Sequence, residues 1–319
     1  MFKRKSWAAA IVAGALAVSG VSAQPAAADV ESTDPIKIAF SDWTTIQINS
    51  EIIARVLQKM GYNTEMVPSE YLAQIPAIEN GDIDFSLEIW FTTAKEPYVA
   101  SVASGKGVDL GETGMIAREE WWYPTYMKEK CPGLPDWQAL NKCAALFATA
   151  ETGDKGRYVG GPQSWGGYDD ERAEALGLNF VIVHPGADAV INAEVKSAYE
   201  RKAPIVAWIY VPNWTSNVYQ GEFVEFPKYE DACYSDPKWG SNPDKAYDCG
   251  KPQGPVKKLG NPAFEKKYPK AAAVVRKFGI TNAVIGALAT EVDVNGKTVA
   301  DVAQGWVDAN EAMWKAWTE

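Results

Sequence analysis

Histidine is nearly absent from this 319-residue chain, with His184 standing alone. No His-Glu-x-x-His or Gly-x-Ser-x-Gly occurs, and no two cysteines have Cys-x-x-Cys spacing. Those gaps remove the common signatures of a zinc hydrolase, an activated serine and a zinc knuckle. Basic charge is also short: 31 Lys and Arg face 41 Asp and Glu, a net −10. An acidic surface argues against nucleic acid and anionic membrane as partners. Beyond the first residues, no apolar run approaches the ~18 needed to span a bilayer. There is no repeat at a fixed period and no low-complexity tract.

What is present begins with Lys3, Arg4 and Lys5, followed by an apolar stretch from Trp7 to Val21. Small residues then offer cleavage after Ala23 or Ala28. Residues 1–28 read as a secretory signal peptide, too short and wrongly flanked for an anchor. No cysteine lies near the cleavage site to carry a lipid. The expected product is soluble and exported to the periplasm, and residues 29–319 are enough for two lobes rather than one. Its four cysteines fall into two near pairs, and in an oxidising compartment an even count favours disulfides. Three pairings exist. Cys131–Cys143 with Cys233–Cys249 is the expected one, because each closes a short loop rich in Pro and Gly. With a single histidine and no Cys-x-x-Cys, neither a metal nor a cofactor is expected.

Strand and helix patterns alternate along the chain. Ile36–Phe40 reads as a strand, and Ile52, Ile53, Val56, Leu57 and Met60 share a helical face that Gly61 ends. Asn63–Val67 is a second strand, Ser69–Asn80 a helix, and Ile83–Ile89 a third strand. A second unit follows: strands at Arg157–Gly160, Phe180–Val183 and Ile205–Tyr210, with helices at Asp169–Leu176 and Ala187–Arg201. Phe226–Asn261 reads as an irregular excursion. Helices are expected at Pro269–Phe278 and Val299–Trp317, the last with an apolar stripe of Val302, Trp306, Ala309, Met313 and Trp317. The pattern is α/β with largely parallel sheets.

Tryptophan is abundant, with 13 in the chain. Several stand where predicted strands end: Trp43 after the first, Trp90 closing D-I-D-F-S-L-E-I-W, and Trp208, Tyr210 and Trp214 in A-W-I-Y-V-P-N-W. Trp165 lies in the P-Q-S-W-G-G loop. Ligands of open α/β sheets bind outside the carboxyl ends of strands. Aromatic faces gathered there suit a methylated ammonium, which donates no hydrogen bonds and is held by cation–π attraction.

In order along the chain, I-A-F-S-D-W-T, L-Q-K-M-G-Y, N-G-D-I-D-F, P-Q-S-W-G-G, P-I-V-A-W-I-Y-V-P-N-W and W-V-D-A-N resemble the periplasmic substrate-binding proteins of ABC importers, of the glycine betaine/choline/proline betaine type. The resemblance implies a type II-like two-lobed clamshell, each lobe a central sheet flanked by helices. Lobe 1 would comprise 29–124 and 253–319, and lobe 2 would be 125–252. Hinges would lie near 123–127 and 250–256. It further implies a monomer that closes on its ligand and delivers it to a permease in the inner membrane.

By the same resemblance Trp90 and Trp165 match cage positions, and Tyr210 aligns with a third wall. Trp208 shares the strand face of Tyr210, and Trp43 matches a cage tryptophan of the choline-binding branch. Trp122, or else Trp121, is a further candidate wall. Gly166 and Gly167, ahead of a predicted helix, offer backbone amides to an anionic ligand end. The choline branch has an acidic residue soon after its first cage tryptophan. Thr44 and Thr45 stand there in this chain, so an anionic-ended, glycine betaine-like ligand is expected over choline, with trimethylamine N-oxide as the alternative. Glu88, Glu119 and Glu120 are read as solvated charges, any of which would lie near the smaller N-oxide. An exported glycosidase and a sugar or amino-acid receptor are the rival classes. The first lacks a nucleophile motif. The second fits poorly because Ile, Val, Phe and Gly surround the aromatic residues.

Overall fold

A computed structural model describes residues 30–319, so the leader assigned to 1–28 lies outside the described residues. The described strands are β1 (Ile36–Phe40), β2 (Thr64–Pro68), β3 (Phe85–Trp90), β4 (Val108–Pro124), β5 (Gly156–Val159), β6 (Phe180–Val183), β7 (Val206–Val211), β8 (Gly221–Phe223) and β9 (Gln253–Gly260). They join in one sheet of order β2-β1-β3-β9-β4-β7-β5-β6, with β8 on β4. β1, β2 and β3 are parallel, as are β5, β6 and β7. Between these wings, β4 and β9 run antiparallel to their neighbours. The result is a two-lobed α/β fold whose parallel wings share a central pair of strands.

That central pair is where the sequence reading fell short. β4 lacks a clean alternation because its register shifts twice against β9, between Asp109 and Glu112 and between Glu112 and Ile116. Gly111 and Gly114, at φ 94° and 88°, supply the left-handed backbone such irregularities use. β9 lies inside the stretch read as an irregular excursion. Its lysines hid it: Lys257 pairs with Asp109, and buried Lys258 donates to the carbonyls of Arg276 and Phe278 at a helix end. At Arg118 the long strand changes partners, facing Gln253 on β9 and Val211 on β7.

Two helical expectations also need correction. Ser69–Asn80 is helical only over Gln74–Asn80, capped by Gly81 at φ 80°, and Tyr71 lies in the turn before it. The last helix is two, Val299–Ala309 and Glu311–Thr318. At the break, the Asn310 side chain donates to the Trp306 carbonyl. The redirected segment packs Trp314 and Trp317 inward and leaves Met313 exposed, so the stripe does not continue. The unanticipated helix Asn282–Asp293 packs on the first helix, Thr44–Lys59. Both expected disulfides form, Cys131–Cys143 and Cys233–Cys249.

Candidate functional site

Strand ends set the site. Trp43 follows β1 and precedes the helix Thr44–Lys59, Trp90 closes β3, Trp208 and Tyr210 lie on β7, and Trp165 is in the loop after β5. Their rings meet edge to face in sequence: Tyr71 on Trp43, Trp43 on Trp165, and Trp165 on Trp208, each at 5.4 Å between centroids. Trp208 then meets Tyr210 at 5.0 Å, and Tyr210 meets Trp90 at 5.4 Å. The Trp90 amide closes the circuit by donating to the Tyr71 hydroxyl at 2.9 Å. The cavity between them is lined by these six rings with Thr93 and Glu119. It leaves the centre of a water-sized sphere only about 30 Å³. One water needs roughly 10–15 Å³ on that measure, so the space suits a group of a few heavy atoms and not a hexose.

Five expected residues therefore converge: Trp43, Trp90, Trp165, Trp208 and Tyr210. Trp122, Gly166 and Gly167 do not line the cavity. The Trp122 indole packs on Gly221 of β8, so closely that a Cβ there would fall 1.8 Å from the ring. Trp121 stacks on Tyr158 at 3.8 Å and donates to Asp169, which makes it core. Gly166 and Gly167 turn the chain at φ 75° and 108°. Gly167 lies under the Lys251–Asp169 ion pair, and the short helix that follows opens with Asp169, Asp170 and Glu171. Three carboxylates in that first turn already answer the helix N-terminus and would repel an anion.

The glutamates read as solvated are buried. Glu88, 0% exposed, accepts from Trp43 Nε1 at 2.8 Å, Trp90 Nε1 at 3.0 Å, Thr45 Oγ1 at 3.0 Å and Asn49 Nδ2 at 2.7 Å. Glu119 accepts from the Thr92 hydroxyl and faces the cavity. Burial pushes its carboxyl up, against the opposing pull of Lys251, Thr92 and Trp208. Glu120 pairs with buried Arg172 at 2.6 Å and accepts the Lys251 amide. Arg172 also donates to the Cys249 carbonyl. This network ties β4 to the Trp165 loop.

The sequence did carry a signal for Glu88. It stands two residues before Trp90 in an apolar strand, so both side chains leave the same face. Thr45 and Asn49 are four apart on one helix and reach that carboxylate together. Tyr71 and Glu119 carried no comparable sign, since one sits in a turn and the other on the unrecognised β4. His184, the sole histidine, has the Gly161 carbonyl and Asp170 each at 2.7 Å. Burial works against its cation, yet those two partners raise its pKa.

An aromatic enclosure between two α/β lobes defines a receptor for a small cation-like ligand. Residues 34–309 match the family described as the substrate-binding domain of ABC-type glycine betaine transport systems, and the chain belongs to that family. It is 32% identical, over 96% of its length and 97% of the relative's, to the trimethylamine N-oxide-binding protein of Pelagibacter ubique. In fold it is similar to the glycine betaine/L-proline-binding protein of Borrelia burgdorferi, with a TM-score of 0.69 at 20% identity over 90% of this chain and 97% of that one. It is also similar to a lactococcal protein crystallised closed on glycine betaine, with a TM-score of 0.66 at 15% identity over 90% and 100%. Proteins of the family bind small quaternary amines and work with an ABC permease; the family is one of transport receptors.

Proposed function

We propose that this protein captures trimethylamine N-oxide in the aromatic cavity and delivers it, chemically unchanged, to a membrane permease. One observation carries the choice of ligand: the cavity combines six rings with one carboxyl group, Glu119, and among the described residues no Lys, Arg or His lines it. The rings suit the methyl groups, whose positive charge is spread over their surface. A protonated Glu119 donates to the N-oxide oxygen, and burial favours that protonated form. The carboxylate of glycine betaine finds no cation in the lining, and Glu119 would repel it. The similarity to the Pelagibacter N-oxide-binding protein supports the same reading.

In this proposal residues 1–28 export the chain to the periplasm, where it acts as a monomer. The lobes divide close to the expected bounds, 29–124 with 253–319 and 125–252, except that the first crossing comes earlier than 124. Tyr123 and Pro124 already pair with β8, so we place the crossing near Arg118, where β4 exchanges β9 for β7. Trp43, Tyr71 and Trp90 come from one lobe, and Trp165, Trp208 and Tyr210 from the other, so ligand and closure are coupled.

Calorimetric titration with trimethylamine N-oxide, glycine betaine and choline tests the reading. Micromolar binding of the N-oxide, about −8 kcal/mol, is expected, tighter than the other two and lost in Trp90→Ala and Trp165→Ala. Tighter binding of glycine betaine would overturn the choice of ligand. No binding of any methylated amine would overturn the receptor reading.

A further inference from the structure

We infer that Glu88, which does not touch the cavity, sets the selectivity of the cage for positive charge by polarising Trp43 and Trp90. The inference rests on the methylated-amine reading and deepens it. Indole N–H groups donate only, and both indoles direct theirs to the same oxygen, Oε2. Thr45 donates to that oxygen too, while Asn49 donates to Oε1. Burial pushes the Glu88 carboxyl up, and the four donors oppose that shift by favouring the ionised form.

The charge has no cation of its own. Among the described residues no Lys, Arg or His forms an ion pair with Glu88, although it is wholly buried. Buried carboxylates are ordinarily paired. Here the two indoles, which line the cavity, also bond the carboxylate that does not. An N–H bonded to an anion leaves its ring richer in electrons, and the ring face more negative. The counter-charge that completes the arrangement is the ligand's methylated nitrogen, reached through the two rings. Glu88 is thus a positioning residue that fixes both indole edges and also an electrostatic one.

Glu88→Gln separates these roles. The amide oxygen still accepts from both indoles. Its NH₂ can meet Asn49 Oδ1, a buried atom without a partner, once the Asn49 amide turns over. The probes are tetramethylammonium and tert-butanol, alike in shape but only one charged, with affinities read by ligand-observed NMR on the full protein. The expected result is a loss of about tenfold for the cation and little change for the alcohol. Equal losses for both probes would leave Glu88 a purely structural support, and unchanged affinity for the cation would remove any role; either overturns the inference. A wild-type protein that binds no methylated amine overturns the receptor reading, and this inference with it.

A second measurement needs no variant. The indole protons of Trp43 and Trp90 should resonate downfield of that of Trp314, which donates to the neutral Val307 carbonyl. They should instead lie near that of Trp121, which donates to Asp169. Positions matching Trp314 would overturn the ionised state that the inference requires.

Discussion

Trp90 and Tyr71 exchange hydrogen bonds: the Trp90 amide donates to the Tyr71 hydroxyl at 2.9 Å, and that hydroxyl lies 3.2 Å from the Trp90 carbonyl it serves. The bond matters because Trp90 ends β3, where the sheet ladder can no longer satisfy its amide. Burial above all holds the phenol pKa far above its usual range, so it stays a neutral donor and acceptor. Tyr71→Phe keeps the ring against Trp43 but leaves a buried amide unpaired. The expected loss is about 1–3 kcal/mol in urea unfolding, with weaker ligand binding as Trp90 loosens. A variant as stable as the wild type would show that water replaces the hydroxyl.

Arg172 and Glu120 form a charge pair in which both side chains are almost fully buried. Such a pair contributes little net stability, but breaking it strands a charge. Arg172→Met should therefore destabilise the protein by roughly 3–5 kcal/mol. The double variant Arg172→Met with Glu120→Gln should recover part of that loss. Urea titrations of the two single variants and the double variant give the coupling directly. Additive losses would mean that Arg172 acts through Asp169, its bond to the Cys249 carbonyl and its packing on Phe226, not through Glu120.

The parallel wings were legible in the sequence because their strands are short, apolar and bounded by turns, as with Ile36–Phe40 and Phe180–Val183. The central strands were not, since β4 breaks its own period at Gly111 and Gly114 and β9 carries lysines satisfied only by tertiary partners. The same physics divides the site. Aromatic residues at strand ends announce themselves, and five of them do converge. Trp122 carries the same local signature, yet its ring faces Gly221 on a strand that was not foreseen. The buried glutamates were misread because local sequence cannot show that Thr45, Asn49 and two indoles surround Glu88, or that Arg172 meets Glu120 from 52 positions away.

The two disulfides close loops of 12 and 16 residues' separation. Each should add about 3 kcal/mol by restricting the unfolded chain. Paired Cys→Ser variants, Cys131 with Cys143 and Cys233 with Cys249, should each lower the urea midpoint, and the quadruple variant should lower it by about the sum. The Cys233–Cys249 pair is expected to matter more for binding, because Cys249 and Lys251 belong to the network behind the Trp165 loop. If only the Cys131–Cys143 variant lost affinity, that assignment would be wrong.

Asp188 couples the cavity wall to pH. Its carboxyl accepts from Asn192 at 2.8 Å and lies 3.4 Å from the Tyr210 hydroxyl that donates to it. Burial, together with the nearby charges of Asp293 and Asp42, pushes its pKa from 3.8 up to about 7. Between those two values the folded protein holds a proton that the unfolded chain has released, so stability falls as pH rises across that window. Below it both states are protonated, and above it the penalty is complete and constant. Asp188→Asn removes the titration while keeping a side-chain oxygen for Tyr210. Its urea stability should depend less on pH than that of the wild type, with the gain appearing as pH rises toward 7 and persisting above it. A small residual slope of the same sign is expected from Asp293, whose own pKa burial raises. Identical pH profiles for variant and wild type would mean that Asp188 keeps an ordinary carboxylate in the folded protein and does not link the cavity wall to pH.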